Sequence, residues 1–499
     1  MRTITNVLIA NRSEVALRIQ AACGLRGLKT VAIFSPEDRY ASYVYQADQN
    51  HQLSGSGYQA YCNQDEIISI AKATGADAIH PGYGFLAENA VFAQAVINAG
   101  LVWIGPRPEA MALMADKHTA RTIMAQAGVP VLPGFMVSST TDPADLLARA
   151  QAIGFPLIIK DPQGGGGKAM QVVHTPFDVI PAFNAVARQA AALTGSNQLL
   201  IEAYIAQGRH VEVQVAGDGT RWVHLFEREC SVQRRHQKVI EEAPCRFISQ
   251  EVLAAMYNAA LKAAAAVDYD SIGTVEFIVT PDERFYFLEM NTRLQVEHAV
   301  TEMVTGIDLI DLQLEIAQTG RLSLQQEDIA MRGHALECRL YAEDPVQHFF
   351  PSTGALEHVF FPRYPFVRFE HDIATGTLVT SLFDPMIAKI ISFGRNRDEC
   401  IRRMQQALAG SRLVGVATNK DLLQAILASD AMQLGQFYTA LLDNPAFVSS
   451  LLAMFKQPIN SHDAILAAIA ALLYEHELQV IKHEPRIMPS RRWRTQRWR

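Results

Sequence analysis

The sequence has no apolar run long enough to cross a bilayer, which takes roughly 18 or more residues, so a membrane span is not expected. Cysteine is scarce and unpatterned. Cys23, Cys62, Cys230, Cys245, Cys338 and Cys400 form no CxxC pair. Their spacing points to neither a disulfide framework nor a zinc site, and a reducing compartment suits them. Positive charge is not in excess: 44 Lys and Arg against 51 Asp and Glu leave a net −7, so no global basic field points to nucleic acid. The N-terminal stretch MRTITNVLIANR lacks the charged, apolar and cleavage regions of a signal peptide and is not a Ser/Arg-rich transit peptide. A cytoplasmic location is expected. There is no internal repeat and no low-complexity segment.

What is present is an ordinary globular composition, 49% apolar and 19% charged over 499 residues, enough for two to four domains with cores that need no staples. Residues 1–114 alternate strand-like runs (Val7–Ala10, Thr30–Phe34, Ala78–His80, Leu101–Ile104) with a helix over Ser13–Leu25, the pattern of a parallel sheet covered by helices. Ligands on such sheets sit at the carboxyl ends of the strands, where Asn11-Arg12, His80-Pro81-Gly82-Tyr83-Gly84 and Gly105-Pro106 lie, although tight turns alone would serve as well. Residues 115–334 form the next unit, with a smaller α/β part over about 131–204, a period-two strand at His210–Val215, a strand at Trp222–Phe226 and a helix from about Gln250 to Val267. A mixed segment covers 335–447. The tail, 448–499, carries one amphipathic helix (about His462 to Val480) and a basic end, Arg491–Arg499.

Thr274–Val279 and Phe285–Asn291 read as two strands joined by the turn sequence Thr280-Pro281-Asp282-Glu283-Arg284. A turn centred between Asp282 and Glu283 places Glu276 opposite Glu289. Opposed like charges on a strand pair are destabilising, and a divalent cation removes the cost; hard oxygen ligands suit Mg²⁺ or Mn²⁺. Asn291, two residues on, shares the face and can add a carbonyl oxygen. Two solvated glutamates are the plainer alternative, disfavoured by the apolar residues on both strands.

Lys160 ends an apolar strand, and after Asp161-Pro162-Gln163 come Gly164, Gly165, Gly166, Gly167 and Lys168. Glycines let backbone N–H groups approach phosphate oxygens. The run is neither a P-loop, since Ala169 follows Lys168, nor a dinucleotide fingerprint. It reads as a mobile phosphate-covering loop or a plain flexible linker. Lys117 sits at a helix start. Glu227–Lys238 is dense in charge, and charge runs are usually solvated faces. Thr292–His298 leaves the hairpin directly and brings Arg293 and Glu297 near the phosphate by chain reach. Arginine recognises anions through two parallel bonds, and Glu297 is a candidate general base.

The motifs IANRSEVALRI, HPGYGFLAENA, LMADKHTA, IIKDPQGGGGKAM, RECSVQRRHQKVIEEAP, FLEMNTRLQVEH, GHALECRLYAEDP and FDPMIAKI occur in one order over about residues 3–447. In this they resemble the biotin carboxylase subunits and domains of biotin-dependent carboxylases, in the ATP-grasp superfamily. The resemblance implies a multidomain α/β and α+β protein: an N-terminal Rossmann-like (pre-ATP-grasp) domain at 1–114, an ATP-grasp domain at 115–334 with its lid at about 131–204, and a biotin carboxylase C-terminal domain at 335–447. It implies ATP binding by Lys117, Lys160, Gly164–Gly167, Glu202, His210, Gln233 and His236. It places metal ligands at Glu276, Glu289 and Asn291, and bicarbonate contacts at Lys238, Arg293, Gln295 and Val296. Glu297 matches the base that deprotonates bicarbonate, Arg339 the arginine that stabilises the biotin enolate, and Arg293 is catalytic too.

The implied reaction makes carboxyphosphate from ATP and bicarbonate, then carboxylates biotin. ATP, Mg²⁺ or Mn²⁺ and biotin as a substrate on a carrier are the implied cofactors. A biotin carboxyl carrier protein or domain, a carboxyltransferase subunit and a homodimer partner are the implied associations. No Met-Lys-Met biotinylation turn occurs, so the carrier is expected on another chain, or beyond a truncation of this one, as in the α subunit of an acyl-CoA carboxylase. Several positions depart from the family pattern. Ser13 stands for the usual Gly of NRGE, Asp161-Pro162-Gln163 for a small Ala/Ser stretch, Ala169 for Gly, Gln189 for Glu, and Ala203 for Lys. They motivate an alternative, a degenerate ATP-binding or scaffold subunit.

Overall fold

The computed structural model describes residues 3–162, 169–454, 469 and 472–474. The glycine run Gly164–Gly167 with Lys168, most of the expected tail helix, and the basic end lie outside the described residues. Ile469 and Leu472 to Tyr474, within that expected helix, are helical. Residues 453–499 form a unit separate from 1–452. No helix among the described residues is long and apolar enough to cross a membrane, and all six cysteines are free.

The first sheet is parallel and five-stranded, ordered Gln49–Gln52, Lys29–Phe34, Asn6–Ile9, Ala78–His80, Val102–Trp103. Its three central strands are buried and apolar, and were legible for that reason. The edge strand Gln49–Gln52 is polar and exposed throughout; without an apolar face it carried no periodic signal. At the carboxyl ends, the Asn11 amide donates to the carbonyls of Pro81 and Tyr83, both at 2.7 Å. Gly82, at φ +63°, makes room for it: a Cβ there would lie 2.8 Å from Asn11 Nδ2. Two of the loops singled out from sequence are thus one structure.

The second sheet has eight antiparallel strands, ordered Phe285–Asn291, Ile272–Val279, Arg209–Gly217, Trp222–Arg234, Gln237–Ala243, His334–Tyr341, Met386–Gly394, Val367–His371. It runs without a break across the 334/335 boundary, because Gln237–Ala243 pairs directly with His334–Tyr341. The strand Trp222–Arg234 extends through the charge-dense segment, whose Glu227, Arg228, Glu229 and Gln233 are buried, not a solvated face. Charge concealed a strand there because ion pairs inside the sheet satisfy it. Arg209–Gly217 is likewise buried on both faces. A third sheet, Gly134–Ser138, Gln198–Ala203, Leu157–Lys160 and Met170–Val173, with helices Pro143–Ile153 and Val179–Leu193, has its own apolar core.

Ser13 and Ala169, both standing where the family pattern has Gly, adopt φ +58° and +50°. A left-handed residue with a Cβ costs about 1–2 kcal/mol, while glycine loses about 0.5–1 kcal/mol through unfolded-chain entropy. Ser13→Gly and Ala169→Gly are each expected to stabilise the chain, by about 0.5–1 kcal/mol, as read from urea midpoints; a fall in either midpoint refutes it.

Candidate active site

The hairpin carries the site by a less direct route than its turn suggests. The loop is Thr280–Arg284, centred on Asp282, so Val279–Phe285, Ile278–Tyr286 and Phe277–Phe287 pair one step out of the expected register. A bulge between Phe277 and Glu276 takes up Leu288 and restores the pairing of Glu276 with Glu289. The expected opposition therefore holds, but the turn alone does not produce it.

The two carboxylates live in different surroundings. The Glu276 side chain is 6% exposed and that of Glu289 45%. Glu276 Oε1 accepts from Lys238 Nζ at 2.9 Å, Asn291 Nδ2 at 2.8 Å and Gln295 Nε2 at 3.0 Å. Its Oε2 lies 2.8 Å from His210 Nε2. Burial pushes this carboxyl up, but Lys238 and His210 outweigh burial and hold it well below the usual carboxylate range. By the same pairing His210 is raised against burial. Charge at Glu276 is thus offset by Lys238 and His210, where sequence reasoning assigned the whole task to a divalent cation. Glu289 faces Lys117, with Nζ 3.9 Å away.

Lys238 is the hub. Its ammonium lies 2.5 Å from Glu212 Oε2, 2.9 Å from Glu276 Oε1 and 2.6 Å from Glu297 Oε1. Burial lowers its pKa, but the three carboxylates raise it well above the ordinary lysine value. Glu297 is fully buried. Its second oxygen accepts from Arg339 at 2.8 Å; despite burial, Lys238, Arg339 and Arg228 keep it well below the usual range, so it is an ionised carboxylate, the form a base requires. Arg293 donates to Gln295 Oε1 and Asn291 Oδ1, each at 2.9 Å, and its Nε lies 3.0 Å from Glu88. Lys160 pairs with Glu202, which Arg121 also approaches at 3.4 Å. Gln233 Nε2 lies 3.2 Å from His210 Nδ1. Arg235 and His236 both have positive φ and form the two-residue turn between strands, a conformation usually left to Asn-Gly. Strain of this kind accumulates at functional sites.

Most of the residues expected at the site line one cavity of about 440 Å³. Lys117, Lys160, Glu202, His210, Gln233, His236, Lys238, Glu276, Glu289, Asn291, Arg293, Gln295, Val296 and Arg339 all face it. Glu297 does not line the cavity; it lies behind Lys238 and Arg339. Gly164–Gly167 lie outside the described residues. The hairpin offers oxygen ligands that suit a hard cation: Glu276, Glu289 and Asn291 line one cavity, and Glu289 is half-exposed, while the Asn291 amide oxygen accepts from Arg293 in this structure. The closer clusters His210–Glu212–Glu276 and Glu212–Cys230–Glu297 already hold the ammonium of Lys238 among their carboxylates.

Sequence reasoning passed over several contributors. Glu212 and Arg228 are wholly buried; Glu212 accepts from Lys238 on one oxygen and from Arg228 on the other. Glu241 holds Arg339, and Glu88 holds Arg293. Lys389 Nζ fixes the Val296 carbonyl at 2.7 Å while pairing with Glu370. Tyr204, Thr439 and Asp443 also line the cavity. Glu88, Glu241 and Lys389 stood inside motifs already singled out, so polar residues without a role in a motif were the available signal.

Residues 3–111 match the family "Biotin carboxylase, N-terminal domain", residues 116–325 "Carbamoyl-phosphate synthase L chain, ATP binding domain", and residues 337–444 "Biotin carboxylase C-terminal domain". Biotin carboxylase 2 of Bacillus subtilis is 45% identical over 438 residues, 87% of this chain and 98% of that protein. The mitochondrial methylcrotonoyl-CoA carboxylase subunit alpha of Dictyostelium discoideum is 40% identical over 488 residues; the match covers 97% of this chain and 69% of that one. The biotin carboxylase domain dimer of Hydrogenobacter thermophilus 2-oxoglutarate carboxylase, solved with MgADP, ADP and bicarbonate, superposes with a TM-score of 0.86 at 37% identity, covering 90% of this chain and 99% of that one. With its N-terminal parallel sheet, ATP-grasp domain and C-terminal domain, the chain belongs to the biotin carboxylase family of ATP-dependent ligases.

Proposed function

We propose that this chain performs the first half-reaction of an acyl-CoA carboxylase, the ATP-dependent carboxylation by bicarbonate of biotin on a carrier protein or domain. The observation that carries this reading is the convergence of Lys238, Glu297 and Arg339 beside the Glu276–Glu289 hairpin. Lys117, Lys160, Glu202, His210, Gln233 and His236, with the Gly164–Gly167 loop, bind ATP. Glu276, Glu289 and Asn291 would hold Mg²⁺ or Mn²⁺, whose charge would offset that on the transferred phosphoryl group. Lys238, Arg293, Gln295 and the Val296 backbone hold bicarbonate. Glu297 takes the bicarbonate proton, the freed oxygen attacks the γ-phosphorus, and ADP leaves carboxyphosphate. Carboxyphosphate breaks to CO₂ and phosphate; phosphate takes the ureido proton, and the biotin nitrogen attacks CO₂. Arg339 stabilises charge on the ureido oxygen. The domains divide at 1–114, 115–334 and 335–447, with 448–499 as a tail.

A homodimer, a biotin carboxyl carrier protein or domain, a carboxyltransferase subunit and a cytoplasmic setting complete the proposal; the methylcrotonoyl-CoA carboxylase relative supports an acyl-CoA partner reaction. A degenerate scaffold is not favoured, because no proposed catalytic side chain is replaced. Phosphate release from ATP with Mg²⁺, bicarbonate and free biotin tests the reading; release independent of biotin and bicarbonate overturns it. Glu289→Gln is expected to raise the Mg²⁺ concentration needed for half-maximal turnover by about 10- to 100-fold, and an unchanged titration removes Glu289 from the metal site.

A further inference from the structure

We propose that Glu241 is a positioning residue for carboxyl transfer, keeping Arg339 in place during the interval when Glu297 carries a proton. This rests on the roles of Glu297 and Arg339 given above. Arg339 is held on two sides: Nε donates to Glu241 Oε1 at 2.6 Å, and a terminal nitrogen donates to Glu297 Oε2 at 2.8 Å. Both carboxylates are fully buried, and Arg339 is 8% exposed while still lining the cavity.

Only one of these two holds survives the reaction. When bicarbonate gives its proton to Glu297, the carboxylate becomes a neutral acid and its attraction for the guanidinium falls. If Glu297 were the sole anchor, Arg339 would loosen at the moment carboxyphosphate forms, just before it is needed at the ureido oxygen. Glu241 takes no part in that proton transfer, so its bond to Nε persists. The guanidinium is planar, and holding Nε fixes the plane in which the terminal N–H groups point. Release by Glu297 then frees a terminal nitrogen for the cavity without freeing the side chain.

Other features mark Glu241 as more than a packing residue. It stands three residues after Lys238 on the strand Gln237–Ala243. Directly opposite it is Glu337, two residues before Arg339 on the neighbouring strand. Its second oxygen, Oε2, has no hydrogen-bond partner among the described residues. A buried carboxylate with one free oxygen is unfavourable for stability. The arginine that it orients accounts for a charged group at this position.

The test uses the full chain, free biotin, and saturating ATP, Mg²⁺ and bicarbonate, with ADP formation as the readout. Glu241→Gln keeps the shape and removes the charge. It is expected to lower biotin-dependent kcat by about 10- to 100-fold with KM for ATP within about twofold of wild type. Glu241→Asp, which keeps the charge, should fall between the two. Because Glu241 acts through Arg339, adding Glu241→Gln to Arg339→Ala should cost little more than Arg339→Ala alone. Losses that multiply in the double variant, or a wild-type kcat in Glu241→Gln, overturn the proposal. If Glu241→Gln does not melt cooperatively, the same cycle is read with Glu241→Asp, and multiplying losses overturn it equally. Wild-type enzyme without biotin-dependent turnover would instead sink the functional reading itself.

Discussion

Glu297→Gln is expected to lower biotin-dependent kcat by on the order of 10²- to 10⁴-fold, with KM for ATP little changed. The carboxylate is held ionised by Lys238 on one oxygen and Arg339 on the other. An amide has the same shape, but only its oxygen can accept; its NH₂ would face one of the two cations. It also cannot take a proton from bicarbonate. Lys117 pairs with Glu289 and Lys160 with Glu202, whereas Glu297 bonds to Lys238 and Arg339, so nucleotide affinity should survive. Initial rates of ADP formation at varied ATP and saturating bicarbonate and biotin provide the check. A kcat near wild type would remove Glu297 from the base role.

The largest effect on stability is expected at a residue that lies outside the cavity lining. Arg228 is wholly buried. It donates to Glu212 Oε1 at 2.6 Å, Gln214 Oε1 and Thr301 Oγ1 at 2.8 Å each, and Thr274 Oγ1 at 3.2 Å. Arg228→Met keeps much of the volume and removes all of these donors. Breaking a buried ion pair from one side costs about 3–5 kcal/mol, because Glu212 stays buried with less compensation. Urea unfolding of the unliganded chain should show a loss of that size; a loss below about 1 kcal/mol would mean that Glu212 is satisfied by Lys238 alone. Catalysis should suffer as well, since Glu212 is one of the three carboxylates that hold Lys238.

The hairpin illustrates how much was legible. Both strands, the turn residues and the facing of Glu276 and Glu289 could be read from composition and spacing. The pairing nevertheless depends on a bulge at Leu288 that no residue type announces. Most buried apolar strands were equally plain, as was the helix Gln250–Ala266. Trp222–Arg234 was read only in its first, apolar part, because Glu227, Arg228 and Glu229 look like surface when their partners are unknown. Those partners lie far along the chain: Thr301 for Arg228, Tyr257 for Glu227, Arg209 for Glu229.

By itself the sequence determined the order of the motifs, and with them the family, the hairpin carboxylates and the candidate base. It also marked Ser13 and Ala169 as departures. Only the tertiary structure showed that both sit at positive φ, that Lys238 and His210 carry the counter-charge at Glu276, and that Glu212, Glu241 and Lys389 support the groups around it. The physical reason is common to these cases. Local spacing governs strands and turns, whereas the ionisation of a buried carboxylate is set by whichever cations the fold brings within about 3–4 Å, and those come from other strands.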